Sequence, residues 1–115
     1  MYKIKYSIIY AVIRPQIKER ISVGLIIIDD SSIDIRYSDK KLAALKYLYT
    51  ESELNFVTEV VRSIDKDGTI KNISDIEYLS RYSNNLISFS SIETIDLEAT
   101  KENKEWLFHS YVGEN

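Results

Sequence analysis

Residues 2–29, YKIKYSIIYAVIRPQIKERISVGLIIID, decide the fold. Tyr2, Ile4, Tyr6, Ile8, Tyr10 and Val12 recur at period two, with Lys3, Lys5 and Ser7 between them. Successive side chains of an extended chain point to opposite faces, so this alternation predicts a β-strand. From Ile9 onward the second face also turns apolar (Ile9, Ala11, Ile13), and the far end of the strand is expected to be covered on both sides. Arg14-Pro15-Gln16 ends it, because proline has no amide donor and a fixed φ. A second strand is predicted from about Arg20 to Asp29, with Ile21, Val23, Leu25 and Ile27 on one face and Ile26 and Ile28 on the other. Apolar residues on both faces mark a central strand. Gly24 in its middle points to a bulge, or to another backbone or ring packed close against it.

The rest of the chain is read outward from this pair. Asp29-Asp30-Ser31-Ser32 is a turn, and Ile33–Tyr37 is a short third strand. Asp39 to Tyr49 is rich in helix formers, with Leu42, Leu45 and Tyr49 on one face. Thr50-Glu51-Ser52-Glu53 is a capping box, in which hydroxyl and carboxylate satisfy each other's free amides. The helix it opens should carry Leu54, Val57, Val61 and Ile64 on one stripe and end at Lys66-Asp67-Gly68. A second capping box, Ser74-Asp75-Ile76-Glu77, opens a short helix with Tyr78, Leu79 and Tyr82, and Asn84-Asn85 is a turn. Leu86 to Ile95 reads as a fourth strand, and about Leu97 to Val112 as a closing helix presenting Leu107, Phe108, Tyr111 and Val112. The order βββαααβα lacks regular strand–helix alternation. The expectation is a single α+β domain over residues 1–115: a mainly antiparallel sheet of about four strands with helices packed on one face.

Composition narrows the function classes. The chain is 115 residues long, 44% hydrophobic and 29% charged, ordinary values for a globular domain. It has no cysteine, which excludes disulfides, thiolate catalysis and zinc–thiolate sites. The start alternates instead of forming a leader's apolar run, and Val23–Ile28 is too short to span a bilayer, so a cytoplasmic protein without a membrane segment is expected. The net charge of −3 disfavours nucleic acid as a partner. Residues 1–50 carry nine Lys/Arg against five Asp/Glu, and residues 51–115 six against thirteen. Such asymmetry more often reflects two halves packing with favourable fields than a basic patch awaiting an acidic partner.

Few residues suggest chemistry. The single histidine, His109, has Glu105 one helical turn away, but nothing resembling a nucleophile elbow accompanies it. Asp29-Asp30 and Asp65–Gly68 lack the spacing and closing glutamate of a calcium loop, and turn chemistry explains both. With three glycines in all, no glycine-rich phosphate cradle exists, and no cofactor or metal is expected. Two sets remain as binding candidates. Tyr2, Tyr6 and Tyr10 line one face of the first strand; packing under helices is the commoner use of such a stripe, and an uncovered face would suit a protein partner. Arg14, Glu19 and Arg36 lie at strand ends, where a carboxylate between two arginines binds an anion or, more commonly, anchors the loop.

The run Tyr6-Ser7-Ile8-Ile9 through Glu19 to Ile26 resembles the opening of an uncharacterised bacterial family, domain of unknown function 3037. Tyr6, Ser7, Pro15, Glu19 and Gly24 fit its register without a gap. Asn85-Leu86-Ile87-Ser88-Phe89-Ser90 resembles its apolar-Gln-Phe-Ser strand, followed by a closing helix ending near Leu107-Phe108 and Tyr111-Val112. Ser22 stands where the family has asparagine, and Tyr10-Ala11 where it has an Arg-Tyr pair. The resemblance implies no established activity. It implies a partner or antitoxin role beside toxin-type serine/threonine kinases, since some family genes neighbour theirs.

Two functions follow as expectations. The first is a non-enzymatic interaction module that binds another protein, a kinase-type toxin or a second copy of itself. The alternative is a small enzyme or anion-binding protein using Arg14, Glu19 and Arg36.

Overall fold

The computed structural model describes residues 3–17, 19–29, 32–66 and 86–113. The end of the second helix at Asp67-Gly68, the capping box at 74–77 with its helix, the Asn84-Asn85 turn and Tyr2 lie outside them. Five strands form one sheet: β1 (Ile4–Arg14), β2 (Glu19–Ile28), β3 (Ile33–Tyr37), β4 (Ile87–Phe89) and β5 (Glu93–Ile95). Among the described residues three α-helices accompany it: α1 (Asp39–Ala44), α2 (Glu51–Lys66) and α3 (Lys101–Val112). Every pairing is antiparallel, in the order β3-β2-β1-β4, with β5 also on β1. The α+β class and the antiparallel sheet expected from the sequence are therefore present.

The connection between β1 and β2 is a 3-10 turn, Pro15–Ile17. On β1 the alternation holds as far as Ile13, before a register shift between Val12 and Arg14: Ile4 and Tyr6 belong to one buried cluster, Ile9 and Ala11 to the other. On β2 it does not. Ile9 pairs with Gly24 but Tyr10 pairs with Ser22, leaving Val23 as an extra residue, a β-bulge. One extra residue shifts the phase of a strand by one and moves its side chains to the other face. Ile21 and Val23 consequently join Ile26 in one cluster, while Leu25 and Ile27 face the other. The sequence expectation that Ile21, Val23, Leu25 and Ile27 share a face is corrected by that bulge.

Helices cover both faces instead of one. Leu42 and Leu45 from the α1 region and Val57, Val61 and Ile64 from α2 pack with Ile9, Ala11, Val23, Ile26 and Ile28. On the opposite face α3 brings Leu107 and Val112 onto Ile4, Tyr6, Leu25 and Ile27. The reason is visible in β2, whose apolar residues occupy both faces and leave neither able to meet water without loss.

Caps set the helix boundaries. Ser38 accepts the Lys41 amide at 3.1 Å and opens α1. That helix stops at Ala44, and the chain continues as a 3-10 turn, Leu45–Tyr47, after which the amides of Leu48 and Tyr49 both donate to the Leu45 carbonyl. The capping box of α2 forms as expected: the Thr50 amide donates to Glu53 Oε1 at 2.9 Å and the Glu53 amide to Thr50 Oγ1 at 3.2 Å. α3 begins later than expected, at Lys101, where Thr100 Oγ1 accepts the Asn103 amide, and ends on Gly113 at φ 80°, the left-handed conformation that favours glycine.

The expected fourth strand, Leu86 to Ile95, is two strands. β4 and β5 lie along the same edge of β1 with their registers offset by one residue, interrupted at Ser90–Ile92. At the interruption Ser90 substitutes its side chain for main chain. Its amide donates to the Ile8 carbonyl, its Oγ accepts the Ile8 amide at 2.8 Å, and its own carbonyl turns to accept the buried Ser7 hydroxyl at 2.7 Å.

Gly24 is confined from both sides. A Cβ there would lie 2.9 Å from the Arg36 carbonyl oxygen and 3.1 Å from Ile9 Cδ1. Replacing glycine by alanine in an unstrained strand stabilises by roughly 0.4–1 kcal/mol through the unfolded chain, but backbone cannot yield here as a flexible side chain does. Gly24→Ala is expected to destabilise by about 1–3 kcal/mol, read as a lowered urea midpoint at unchanged m-value.

Candidate functional site

The tyrosine face of β1 is covered. Tyr6 is only 8% exposed, and its ring stacks on Tyr111 of α3 with centroids 4.8 Å apart. The Tyr6 hydroxyl donates to the Tyr111 hydroxyl at 2.9 Å. Burial, then this hydrogen bond, pushes the Tyr6 phenol up to about 12. Tyr10 is half-buried beneath the Arg20 guanidinium, which lies 4.0 Å from the ring centroid, a cation–π arrangement. Tyr2 is outside the described residues. The stripe expected as a binding surface is, at Tyr6, part of the core.

Arg14, Glu19 and Arg36 do not converge. Arg14 and Glu19 face each other across the end of the β1–β2 pair at 3.7 Å, with 71% and 51% of their side chains exposed. An exposed pair of this kind contributes little. Arg36 pairs with Leu25 in the ladder, six residues along β2 from Glu19 or roughly 20 Å at strand rise. Its guanidinium bonds Asp34 on its own strand at 3.1 Å. The carboxylate between two arginines is not formed, because the third strand ends at the middle of β2 and not beside the β1–β2 connection. His109 is exposed at the end of α3. Among the described residues no three His, Asp or Glu side chains gather closely enough to hold a metal ion, and no helix is long and apolar enough to cross a membrane.

The polar centre that sequence reasoning missed is Asp29, identified there only as a turn residue. Its Oδ1 accepts the Ser32 amide at 2.7 Å, which closes the β2–β3 hairpin. Its Oδ2 lies 2.8 Å from Lys104 Nζ of α3, with 9% and 14% of the two side chains exposed. This ion pair fixes α3 to the sheet at the end remote from Gly113. Nothing local in the sequence signals it, since the partners are 75 positions apart. Tyr49 is a second such pin. Its hydroxyl donates to the Val12 carbonyl at 2.5 Å, and burial pushes its phenol up to about 12.

Large apolar side chains nevertheless reach solvent: Tyr47 is 79% exposed, Ile17 66%, Leu48 53%, Trp106 53% and Phe56 44%. Three of them, Tyr47, Leu48 and Phe56, belong to the segment that joins α1 to α2 and to the first half of α2.

Removing Lys104 takes from Asp29 a charge partner largely shielded from water. Lys104→Met is expected to cost about 3 kcal/mol in chemical denaturation, and Asp29→Asn with Lys104→Met less than the two single changes together. The phenols give a pH test. Both are raised from 10.0 in the unfolded chain to about 12 when folded, so their contribution is complete below pH 10.0 and lost as pH rises toward about 12. Unfolding free energy should fall across that window, and Tyr6→Phe with Tyr49→Phe should flatten the fall.

In comparisons with known proteins, no family model, no curated protein and no solved structure matches the chain.

Proposed function

We propose that the chain is a non-enzymatic protein-interaction module, and that its docking surface is the α1–α2 connection. The observation that carries this reading is the exposure of Tyr47, Leu48 and Phe56. Tyr47 and Leu48 are consecutive and precede Thr50, which caps α2; Phe56 follows Glu51 by five residues, about 8 Å along the helix axis. These side chains project from rigid main chain. The amides of Leu48 and Tyr49 are tied to Leu45, Tyr49 is tied to β1, and the capping box holds the first turn of α2. Aromatic and aliphatic groups held in place before binding are what interface anchors require, because little side-chain freedom is lost on association.

The sheet face built on Tyr6 no longer serves this role, being occupied by α3. The resemblance to domain of unknown function 3037 supports a bacterial, cytoplasmic regulator, with a kinase-type toxin as the partner. The acidic net charge favours a protein over a nucleic acid.

Affinity capture from the native host, followed by repetition with purified components, tests the proposal. Wild type should recover one partner in stoichiometric amount. A chain carrying Tyr47→Ser, Leu48→Ser and Phe56→Ser should keep its melting temperature and bind that partner at least tenfold more weakly, as expected for loss of anchors worth more than about 1.4 kcal/mol. Recovery of no partner, or equal binding by the substituted chain, would sink the reading.

A further inference from the structure

β3 is an edge strand whose outer side is complementary to itself. All its pairings with β2 keep one register, from Gly24 with Tyr37 to Ile28 with Ile33. The same register extended places Asp29 opposite Ser32 and Val23 opposite Ser38, and both are hydrogen-bonded: the Asp29 amide to the Ser32 carbonyl at 3.0 Å, the Ser38 amide to the Val23 carbonyl at 2.8 Å. Bonded and non-bonded pairs alternate in an antiparallel ladder. Asp34 and Arg36 therefore direct their amides and carbonyls toward β2. Ile33, Ile35 and Tyr37 direct theirs outward, and among the described residues no backbone group bonds to that edge.

We infer that the outer edge of β3 pairs with β3 of a second copy of this chain, antiparallel about a two-fold axis through Ile35, joining two sheets into one. The register follows from charge. With the axis at Ile35, Ile33 lies opposite the second copy's Tyr37, Ile35 opposite Ile35, and Asp34 opposite Arg36 twice over. The Asp34–Arg36 pairs occupy non-bonded positions, where facing side chains approach most closely. Sliding the second strand by two residues in either direction sets Asp34 against Asp34 or Arg36 against Arg36, which is unfavourable. Only the Ile35-centred register pairs all five residues of the strand with opposite charges facing.

The groups are suitably placed. Asp34 and Arg36 keep 36% and 26% of their side chains exposed, and in the single chain they bond each other at 3.1 Å. Pairing exchanges these bonds within a strand for the same bonds between strands. The strand contains no proline, lysine or bulge, the features that ordinarily guard an edge. A five-residue edge buries little area, so the dimer belongs to the weak class, below about 1,200 Å² of total buried surface. This surface is separate from the one built on Tyr47, Leu48 and Phe56.

Sedimentation across a wide concentration range reads the association, with circular dichroism confirming that each variant is folded. Wild type should dimerise reversibly at concentrations below about 1 mM, and added salt should weaken it. Asp34→Arg alone and Arg36→Asp alone each set like charges opposite one another and should each raise the dissociation constant by about tenfold or more. Mixed together, the two variants face opposite charges at both sites and should form a heterodimer close to wild-type strength. The chain carrying both changes, which reverses the pair, should dimerise like wild type. A wild-type monomer at about 1 mM overturns the inference. So does undiminished self-association of either single variant, or a mixture no stronger than its components.

Discussion

β1 is hydrogen-bonded along both edges and apolar on both faces, and the positions of the other elements follow from that confinement. β2 lies on one side and the interrupted β4–β5 edge on the other. Because the side-chain period is two, a slip of one residue in β1 would exchange its two buried faces. The strand keeps its alternation from Ile4 to Ile13, and its neighbours absorb the irregularities along that length; a further shift at its end leaves Ile13 as the extra residue between Val12 and Arg14. On one side the extra residue is Val23; on the other it falls in Ser90–Ile92. Both lie near the middle of β1. The result is a central strand whose first half meets α3 on one face and whose second half meets α1 and α2 on the other.

Around this frame a few polar contacts join segments far apart in the chain. Tyr6 meets Tyr111, Ser7 meets Ser90, Tyr49 meets Val12, and Lys104 meets Asp29. Each is worth only about 1 kcal/mol net when formed. Their larger effect is selective, because leaving such a group buried without its partner costs more than the bond supplies. They exclude arrangements in which the helices cover the same apolar surface at another angle. Ser7 and Ser90 meet at the interruption of the edge strand, where both exchange hydrogen bonds with main chain.

The proposed interaction surfaces lie where the frame leaves apolar side chains or main chain uncovered among the described residues. The α1–α2 connection offers apolar side chains: Tyr47 and Leu48 stand in solvent just beyond Leu42 and Leu45, which reach the core. The edge of β3 offers main chain, because the strand ends the sheet while its side chains remain half covered by α2. As proposed, one surface would be anchored by hydrophobic burial and the other by directional bonds, so the two would differ in salt dependence.

Local pattern alone determined that two paired strands lie within residues 2–29, that Ile33–Tyr37 is a strand, that Thr50 and Glu53 cap a helix, and that Leu107, Phe108, Tyr111 and Val112 face inward. Periodicity and capping depend on neighbours within a few residues, so they are legible without a structure. Gly24 also announced a bulge or a backbone packed close against it, and both are found: the bulge at the adjacent Val23, the close approach from the Arg36 carbonyl. The facing of Ile21 and Val23, the division of the helices between two faces, the burial of Tyr6 and the separation of Arg36 from Arg14 and Glu19 were decided by tertiary structure. A bulge inverts the phase of everything beyond it, and the Asp29–Lys104 pair spans most of the chain. Such outcomes depend on which surfaces meet, and a one-dimensional pattern carries no record of that.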